Sequence, residues 1–314
     1  MRYRAYEALD GIPNVVVDGS AHADTVLTLS HWPGSPTPTA LQDDLSAQIA
    51  FRYLDDPRHH VTAEVVSNNH VDQDGLASVY ALTDPDGASA RRDRVIDVAR
   101  AGDFGTFVER DSARIAWTIA ELSAGEDGYG YPELLERLPE LLDHPDRYRA
   151  RWAAEDAHLT ATESALDAGT VTIAEQPDLD LAIVTVPSAW SARPTHRFTR
   201  IGSSVVHPSA IHNATDRFAL LYQQGRRYEL VYRYETWVQY VSRRPRARVD
   251  LTAFADELTA EEPGDAHWAF EGVGALEPTL ELVGAEESAI APDAFRARIT
   301  EFLRGAPPAW DPFS

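Results

Sequence analysis

Residues 64–78, Glu-Val-Val-Ser-Asn-Asn-His-Val-Asp-Gln-Asp-Gly-Leu-Ala-Ser, contain a β-branched run, a polar turn and the start of an apolar helix. This order is typical of a buried strand that passes directly into a helix. We therefore predict a strand over Glu64–His70 and a helix over Gly75–Leu82. The same alternation recurs through the first 107 residues, which predicts a parallel α/β sheet.

Three more strands and two more helices follow from the same pattern. The strands are predicted at Asn14–Asp18, Thr25–His31 and Arg94–Arg100. The helices are predicted at Asp43–Tyr53, with Asp43 and Asp44 in its first turn, and at Arg110–Leu122. Residues 1–130 are thus predicted to form an α/β domain.

The rest of the chain predicts a helical connector and a smaller α+β domain. Residues 131–168 are helical in pattern and highly charged, with Pro132 in a first turn and Gly169 as a stop. Residues 169–314 mix strand and helix patterns, so we predict domains at 1–130, 131–168 and 169–314. The predicted elements of the last domain are Thr170–Ala174, Leu179–Val186, an alternating stretch at Tyr228–Arg243, and helices at Leu251–Leu258 and Pro292–Leu303.

Composition excludes several classes of protein. The 314 residues include no Cys and no Lys, which excludes thiolate metal sites, Lys Schiff-base chemistry and a Walker-type phosphate loop. The net charge of −22 argues against binding to extended duplex nucleic acid. No apolar run reaches the ~18 residues that a membrane helix needs, and no secretory signal precedes the first strand, so a cytoplasmic protein without membrane contact is predicted. The oligomeric state is not predicted.

One segment has the opposite charge. Residues 193–248 contain eleven Arg but only three acidic residues. The planar guanidinium suits phosphate oxygens, so this segment is a candidate site for an anionic ligand, with positive charge concentrated at Arg243, Arg244, Arg246 and Arg248. The alternative is that these arginines pair with acidic surface and hold the two halves of the chain together.

Acidic and imidazole side chains follow each predicted strand of the first domain. They are Asp18, His31, His70, Asp72, Asp74 and Asp103. Ligands bind beyond the carboxyl ends of parallel strands, and oxygen and imidazole ligands suit Mn²⁺ or Mg²⁺. We therefore predict a divalent-metal site, for which Asp97, inside its predicted strand, is a weaker candidate than Asp103. Taken singly, Asp72 is better explained as a helix cap, Asp74 as a turn residue and His70 as a hydrogen-bonded surface or core residue, and only the six residues together favour a metal site.

The stretch Asn69–Ser78, NHVDQDGLAS, resembles the first motif of the DHH phosphoesterase superfamily. Members of that superfamily typically hold two Mn²⁺ ions and hydrolyse phosphodiester or pyrophosphate bonds. The resemblance implies metal-binding and catalytic roles for His70, Asp72, Asp74 and Asp103. In the far half, residues 241–244, 249–258 and 264–267 resemble the accessory substrate-binding domain, which implies phosphate contacts for Arg243 or Arg244 and for His267.

The resemblance is divergent in one motif. The Asp-His-His triplet is missing, and Ser30-His31-Trp32 is similar to a substitute that precedes the first motif instead of following it. The interpretation is a divalent-metal-dependent phosphoesterase, a hydrolase acting on a small phosphodiester or nucleotide-like substrate between two domains. The alternative is a degenerate relative that binds a nucleotide or another anion and turns nothing over.

Overall fold

The computed structural model describes residues 1–125, 127–192 and 201–313. Chain contacts divide the protein into two compact units. The first unit contains Met1–Asp156 and Val238–Arg244, and the second contains Ala157–Trp237 and Pro245–Ser314. These limits differ from the predicted ones, because residues 131–168 contribute to both units and seven residues from the far half return to the first.

The first unit contains a four-stranded sheet in the order β1-β4-β2-β3. Its strands are β1 (Arg2–Tyr3), β2 (Asn14–Val17), β3 (Thr25–Leu29) and β4 (Val65–Ser67). Every pairing in it is parallel, which confirms the predicted α/β class. β2 and β4 are buried throughout, as expected of central parallel strands covered on both faces. All four strands therefore point their carboxyl ends to one edge.

Six helices accompany this sheet in the described ranges, and a seventh begins in the first unit and continues into the second. They are α1 (Ser46–Asp55), α2 (Gln73–Thr83), α3 (Pro85–Ser89), α4 (Arg92–Asp103), α5 (Arg110–Leu122), α6 (Tyr131–Asp143) and α7 (Arg149–Asp167). Residues 73–82 of α2 are all buried, and α2 packs against α1 and α4. The helix predicted at Arg110–Leu122 has the bounds of α5.

The strand predicted at Arg94–Arg100 is wrong, because this segment belongs to α4. Val95, Val98 and Ala99 are buried, a spacing of three and four residues that places them on one helical face. The short β-branched run is typical of a strand in the sequence, whereas the buried positions in the structure follow the helical period. Asp103 accordingly ends a helix instead of a strand.

The second unit is α+β, as predicted. A six-stranded sheet has the order β10-β11-β8-β7-β6-β5, in which only β6 and β7 pair in parallel. Aliphatic and aromatic side chains of this sheet and of its helices form a common core. The strands of this sheet are β5 (Thr172–Gln176), β6 (Leu181–Val186), β7 (Ala219–Gln224), β8 (Arg227–Tyr232), β10 (His267–Phe270) and β11 (Thr279–Val283). Two further strands, β9 (Arg248–Val249) and β12 (Pro308–Trp310), form a separate antiparallel pair. The helices are α8 (Pro208–Ala214), α9 (Thr252–Thr259) and α10 (Pro292–Gly305).

The alternating stretch predicted over Tyr228–Arg243 is a strand only in its first part. Tyr228, Leu230 and Tyr232 of β8 alternate into the core. A 3₁₀ turn then begins at Tyr234, and the chain returns to the first unit at Val238. The predicted alternating strand therefore ends well before Arg243. Three of the eleven arginines in the basic segment, Arg193, Arg197 and Arg200, lie outside the described residues.

Within the described ranges, no helix combines the length and the apolar character that crossing a bilayer requires.

Candidate metal centre

The six predicted ligands meet at the carboxyl edge of the first sheet. Asp18 follows β2, and His31 lies two residues beyond β3. The turn from β4 into α2 carries His70, Asp72 and Asp74, and Asp103 is the last residue of α4. Two groups have ligand atoms within 4.8 Å of one another: Asp18, His31 and Asp74 (the inner group) and Asp18, His70 and Asp72 (the outer group). Each group is able to hold a metal ion.

The inner group is buried. Nε2 of His31 lies 3.4 Å from Oδ1 of Asp18 and 3.8 Å from Oδ2 of Asp74. Asp103 joins from α4, with its Oδ2 3.5 Å from the same nitrogen. The side chains of His31, Asp18 and Asp74 are at most 1% exposed. One imidazole nitrogen thus faces three carboxylates in a space from which solvent is nearly excluded.

The outer group is partly open to solvent. Nε2 of His70 lies 2.8 Å from Oδ2 of Asp72 and 3.4 Å from Oδ2 of Asp18. The His70 and Asp72 side chains are 33% and 27% exposed. Asp18 belongs to both groups through its two different oxygens. Any exchangeable ligand from solvent would reach the outer group first.

Asp18 is held in an unusual conformation. Its φ of 45° lies in the left-handed region, which non-glycine residues rarely adopt. Oδ1 accepts a hydrogen bond from the hydroxyl of Ser46 at 2.8 Å, while Oδ2 is buried, accepts no hydrogen bond from the described residues and has the imidazole of His70 3.4 Å away. Strained backbone concentrates at functional sites, and a buried carboxylate oxygen is normally hydrogen-bonded or paired with a positive charge. Both observations fit a bound cation.

Asp74 explains where α1 begins. Its two oxygens accept the main-chain N–H groups of Ser46 at 2.7 Å and Ala47 at 2.8 Å. A carboxylate at a helix N-terminus satisfies otherwise unpaired donors, so α1 starts at Ser46 and not at the predicted Asp43. Burial and the negative charge of Asp18 raise the pKa of Asp74 to about 7.

Asp72 combines the two roles considered for it. Its Oδ1 caps α2 by accepting the Gly75 N–H at 2.8 Å, and its Oδ2 faces His70. A Cβ on Gly75 would stand 3.1 Å from Asp72 Oδ1 and 2.6 Å from the hydroxyl oxygen of Tyr131. These distances leave no room for a side chain at position 75, so glycine allows the start of α2 to pack closely against the carboxylate.

The acidic neighbours raise the pKa of both imidazoles. Burial acts to lower the pKa of His70, but the hydrogen bond to Asp72 and the charges of Asp72, Asp18 and Asp74 raise it to about 9. Burial also acts to lower the pKa of His31, and its bond to Asp18 and the charges of Asp74 and Asp18 raise it. Four carboxylates and two imidazoles are a donor set that suits Mn²⁺ or Mg²⁺. A divalent cation would neutralise charges that are costly to bury alone.

The segment Val238–Arg244, which we call the returning segment, packs beside this centre. Its Gln239 N–H donates to the main-chain oxygen of His31 at 2.8 Å. Its Val241 and Ser242 N–H groups both donate to Oδ1 of Asp44 at 2.8 Å. Sequence reasoning missed these contacts, because they join residues about two hundred positions apart and use main-chain groups that no side-chain pattern reveals.

The predicted substrate contacts fall in different units. Arg243, which is half-buried, and Arg244, which is exposed, end the returning segment of the first unit. His267 begins β10 in the second unit, where it is exposed and its Nδ1 lies 3.1 Å from the main-chain oxygen of Asp265. Their meeting at one substrate stays a prediction. Asp97 has a structural role, because its carboxylate accepts the N–H groups of Val108 and Glu109 at 2.8 and 2.9 Å.

Comparison with known proteins gives one match. The model of a family of unknown function, DUF6687, matches residues 1–314, so the chain belongs to that family. No curated protein and no solved structure matches it.

Proposed function

We propose that this protein is a divalent-metal-dependent phosphoesterase that acts on a small phosphodiester or nucleotide-like substrate, with Mn²⁺ or Mg²⁺ as its cofactor. The observation that carries the proposal is the sharing of Asp18 between the inner and outer groups. A carboxylate that faces two adjacent ligand sets is what a two-ion hydrolytic centre requires. The predicted cytoplasmic location belongs to the same proposal.

Each side chain has a distinct part in this proposal. Asp18, His31, Asp74 and Asp103 would hold the buried position, and Asp18, His70 and Asp72 the exposed one. Bound divalent ions supply hydroxide at neutral pH and stabilise the charge that develops on a phosphate. The partial exposure of His70 and Asp72 gives a substrate access. The resemblance of residues 69–78 to the DHH superfamily supports the same chemistry.

The alternative is a protein that binds a nucleotide or another anion without hydrolysing it. One observation favours it: both oxygens of Asp74 already accept main-chain N–H groups. Such a carboxylate has fewer lone pairs to give to an ion in the inner group. A protein with a single ion in the outer group would retain anion binding and lack the second ion of a two-ion mechanism.

Metal-dependent turnover separates the two functions. The purified chain is incubated with Mn²⁺, Mg²⁺ or EDTA, and hydrolysis of bis(4-nitrophenyl) phosphate, pyrophosphate and a linear dinucleotide is followed. The phosphoesterase proposal expects turnover with metal and none with EDTA. Calorimetric binding of dinucleotide without turnover would favour the binding protein. Absence of metal binding would reject the phosphoesterase, and absence of both metal and dinucleotide binding would reject both functions.

A matched pair of helix caps identifies the site. Asp72 and Asp84 each cap a helix by accepting the N–H of the glycine three residues later. Asp72→Asn is expected to lower turnover about 100-fold or more, because it removes a metal-facing charge as well as altering a cap. Asp84→Asn alters the cap of α3 and the neighbouring interaction with Tyr80, but removes no charge that faces the candidate metal centre. Equal losses in the two variants would show that capping, not metal binding, explains the effect of Asp72.

A further inference from the structure

Ser46, the first residue of α1, touches all three members of the inner group, and the proposed function gives it no part. It is 0% exposed. Its hydroxyl donates to Oδ1 of Asp18 at 2.8 Å and accepts the main-chain N–H of His31 at 3.3 Å. Its own main-chain N–H donates to Oδ2 of Asp74 at 2.7 Å. One buried residue thus connects ligands that come from three different segments of the chain.

The two bonds of the Ser46 hydroxyl fix its direction. A hydroxyl has one proton to donate. Because the His31 N–H points at its oxygen, the proton is directed to the carboxylate of Asp18. The oxygen it reaches, Oδ1, is also the one that lies 3.4 Å from Nε2 of His31. A carboxylate oxygen has about two acceptor sites, so Oδ1 is able to keep the Ser46 bond and bind an ion as well.

Within the described ranges, the side-chain hydrogen bonds of Ser46 reach the inner group alone. The outer group uses the other oxygen of Asp18, together with His70 and Asp72. Those two residues have supports of their own, because Oδ1 of Asn68 accepts the His70 N–H at 2.7 Å and Asp72 caps α2. The two groups therefore share a ligand but are held in place by different residues.

We propose that Ser46 is a positioning residue for the ion of the inner group, acting through Asp18 and His31. Its hydroxyl holds Oδ1 of Asp18 and the main chain of His31, and so directs both ligands to one point. Groups that orient metal ligands contribute strongly to metal affinity. This inference rests on the proposed function, because it needs two ions that share Asp18.

The test removes single buried hydroxyl groups from the full chain. Ser46→Ala deletes the positioning hydroxyl and keeps the main-chain N–H that binds Asp74, whereas Ser46→Thr keeps a hydroxyl. Ser112→Ala is the matched control, because Ser112 on α5 is also 0% exposed and its hydroxyl has no hydrogen-bond partner among the described residues.

Three measurements are made on the parent and on each variant. Calorimetry gives the number of Mn²⁺ ions bound and the affinity of each. Electron paramagnetic resonance measures the magnetic coupling between two Mn²⁺ ions, which requires ions about 4 Å apart, as in two-ion hydrolytic centres. Thermal unfolding shows that each variant is folded. A purely structural role of Ser46 would lower the unfolding temperature without a selective effect on one ion.

The parent is expected to bind two coupled ions. In Ser46→Ala, one Mn²⁺ should bind about tenfold or more weakly, as is typical when a residue that orients a metal ligand is removed, and the other should stay within about threefold. The coupled signal should then require correspondingly higher Mn²⁺ concentrations. Ser46→Thr and Ser112→Ala should keep both affinities within about threefold of the parent.

Several results would overturn the inference and leave the two-ion centre intact. They are unchanged affinities in Ser46→Ala, equal weakening of both ions, the same selective loss in Ser112→Ala, or the same selective loss in a folded Ser46→Thr. A parent that binds fewer than two ions and gives no coupled signal would overturn the two-ion function together with the inference.

Discussion

The main-chain oxygen of Asp44 accepts a hydrogen bond from Nδ1 of His31 at 2.6 Å. The bond turns Nε2 of His31 towards Asp18 and Asp74. A histidine whose Nδ1–H is held by a carbonyl group presents the other nitrogen to a metal in a fixed direction. The carboxylate of the same Asp44 holds Val241 and Ser242, so this one residue connects the returning segment to a candidate ligand.

Asp44→Ala should therefore affect both stability and metal binding. The substitution leaves the N–H groups of Val241 and Ser242 without their acceptor, which we expect to lower the free energy of unfolding by about 1–3 kcal/mol. Loosening of the residue that positions His31 should weaken Mn²⁺ binding by about tenfold. Urea denaturation and calorimetric titration with Mn²⁺ measure the two effects.

Asp44→Asn is the matched control for this prediction. The amide retains one oxygen that is able to accept the same two N–H groups, so both losses should be smaller than in Asp44→Ala. If the alanine variant keeps the stability and the Mn²⁺ affinity of the parent, Asp44 does not connect the returning segment to His31 in the way described.

The convergence of the six candidate ligands could be predicted because it depends on local pattern and on sheet topology. A Val-rich run followed by Asp18, and the run before His70, identified two central parallel strands whose ends meet at one edge. The order of the strands in the sheet is not needed for this prediction, because all parallel strands end at the same edge. Asp103 reached the same place for a different reason, since it ends α4 and not a strand.

The contacts that orient those ligands could not be predicted. Asp74 at the start of α1 and the Tyr131 hydroxyl beside Gly75 depend on tertiary packing between segments 28 and 56 residues apart. The strand error at Arg94–Arg100 has a related cause. A short apolar run such as Val95, Ile96, Val98 and Ala99 fits a buried strand as well as a helix, and only the packing of α4 against α2 and α5 decides between them.

Asp18→Asn should abolish metal binding without unfolding the chain. Asparagine tolerates the left-handed conformation at φ 45°, and its oxygen is able to accept the Ser46 hydroxyl. The charge that both groups share is lost, so we expect Mn²⁺ affinity to fall about 100-fold or more and Mn²⁺-induced thermal stabilisation to disappear.

Asp180→Asn is the control, because Asp180 is also buried and also left-handed, at φ 52°, but lies in the second unit. It should leave Mn²⁺ binding unchanged. Tight Mn²⁺ binding by Asp18→Asn would place the ion elsewhere.

The second unit should lose stability in acid through Glu262. Burial acts to raise the pKa of Glu262, but hydrogen bonds from Ser288, Ala289 and Trp268 lower it below its ordinary value of 4.5. A carboxyl group with a lowered pKa in the folded state contributes stability above pH 4.5, and this contribution is lost as the pH falls through the lowered value. Urea denaturation between pH 3 and 7, followed by tryptophan fluorescence, should therefore show a smaller acid dependence for Glu262→Gln.

The neighbouring Glu261 provides the control, because it pairs with Arg298 at a side chain that is 55% exposed. Glu261→Gln should keep the pH dependence of the parent. Identical pH profiles for the parent and Glu262→Gln would exclude Glu262 as the titrating group.

Asp97 and Asp103, six residues apart on α4, should give opposite results. Asp97→Asn removes one of two carboxylate oxygens that accept Val108 and Glu109, so we expect a loss of about 1–3 kcal/mol in the free energy of unfolding with Mn²⁺ affinity unchanged. Asp103→Asn removes a charge 3.5 Å from Nε2 of His31, which should weaken Mn²⁺ binding by about tenfold or more while changing stability less. Urea denaturation and Mn²⁺ calorimetry measure both effects in both variants, so two positions of the same helix are compared directly. If Asp97→Asn weakened Mn²⁺ binding as strongly as Asp103→Asn, distortion of α4 would explain both losses. Asp103 would then not be a ligand of the ion.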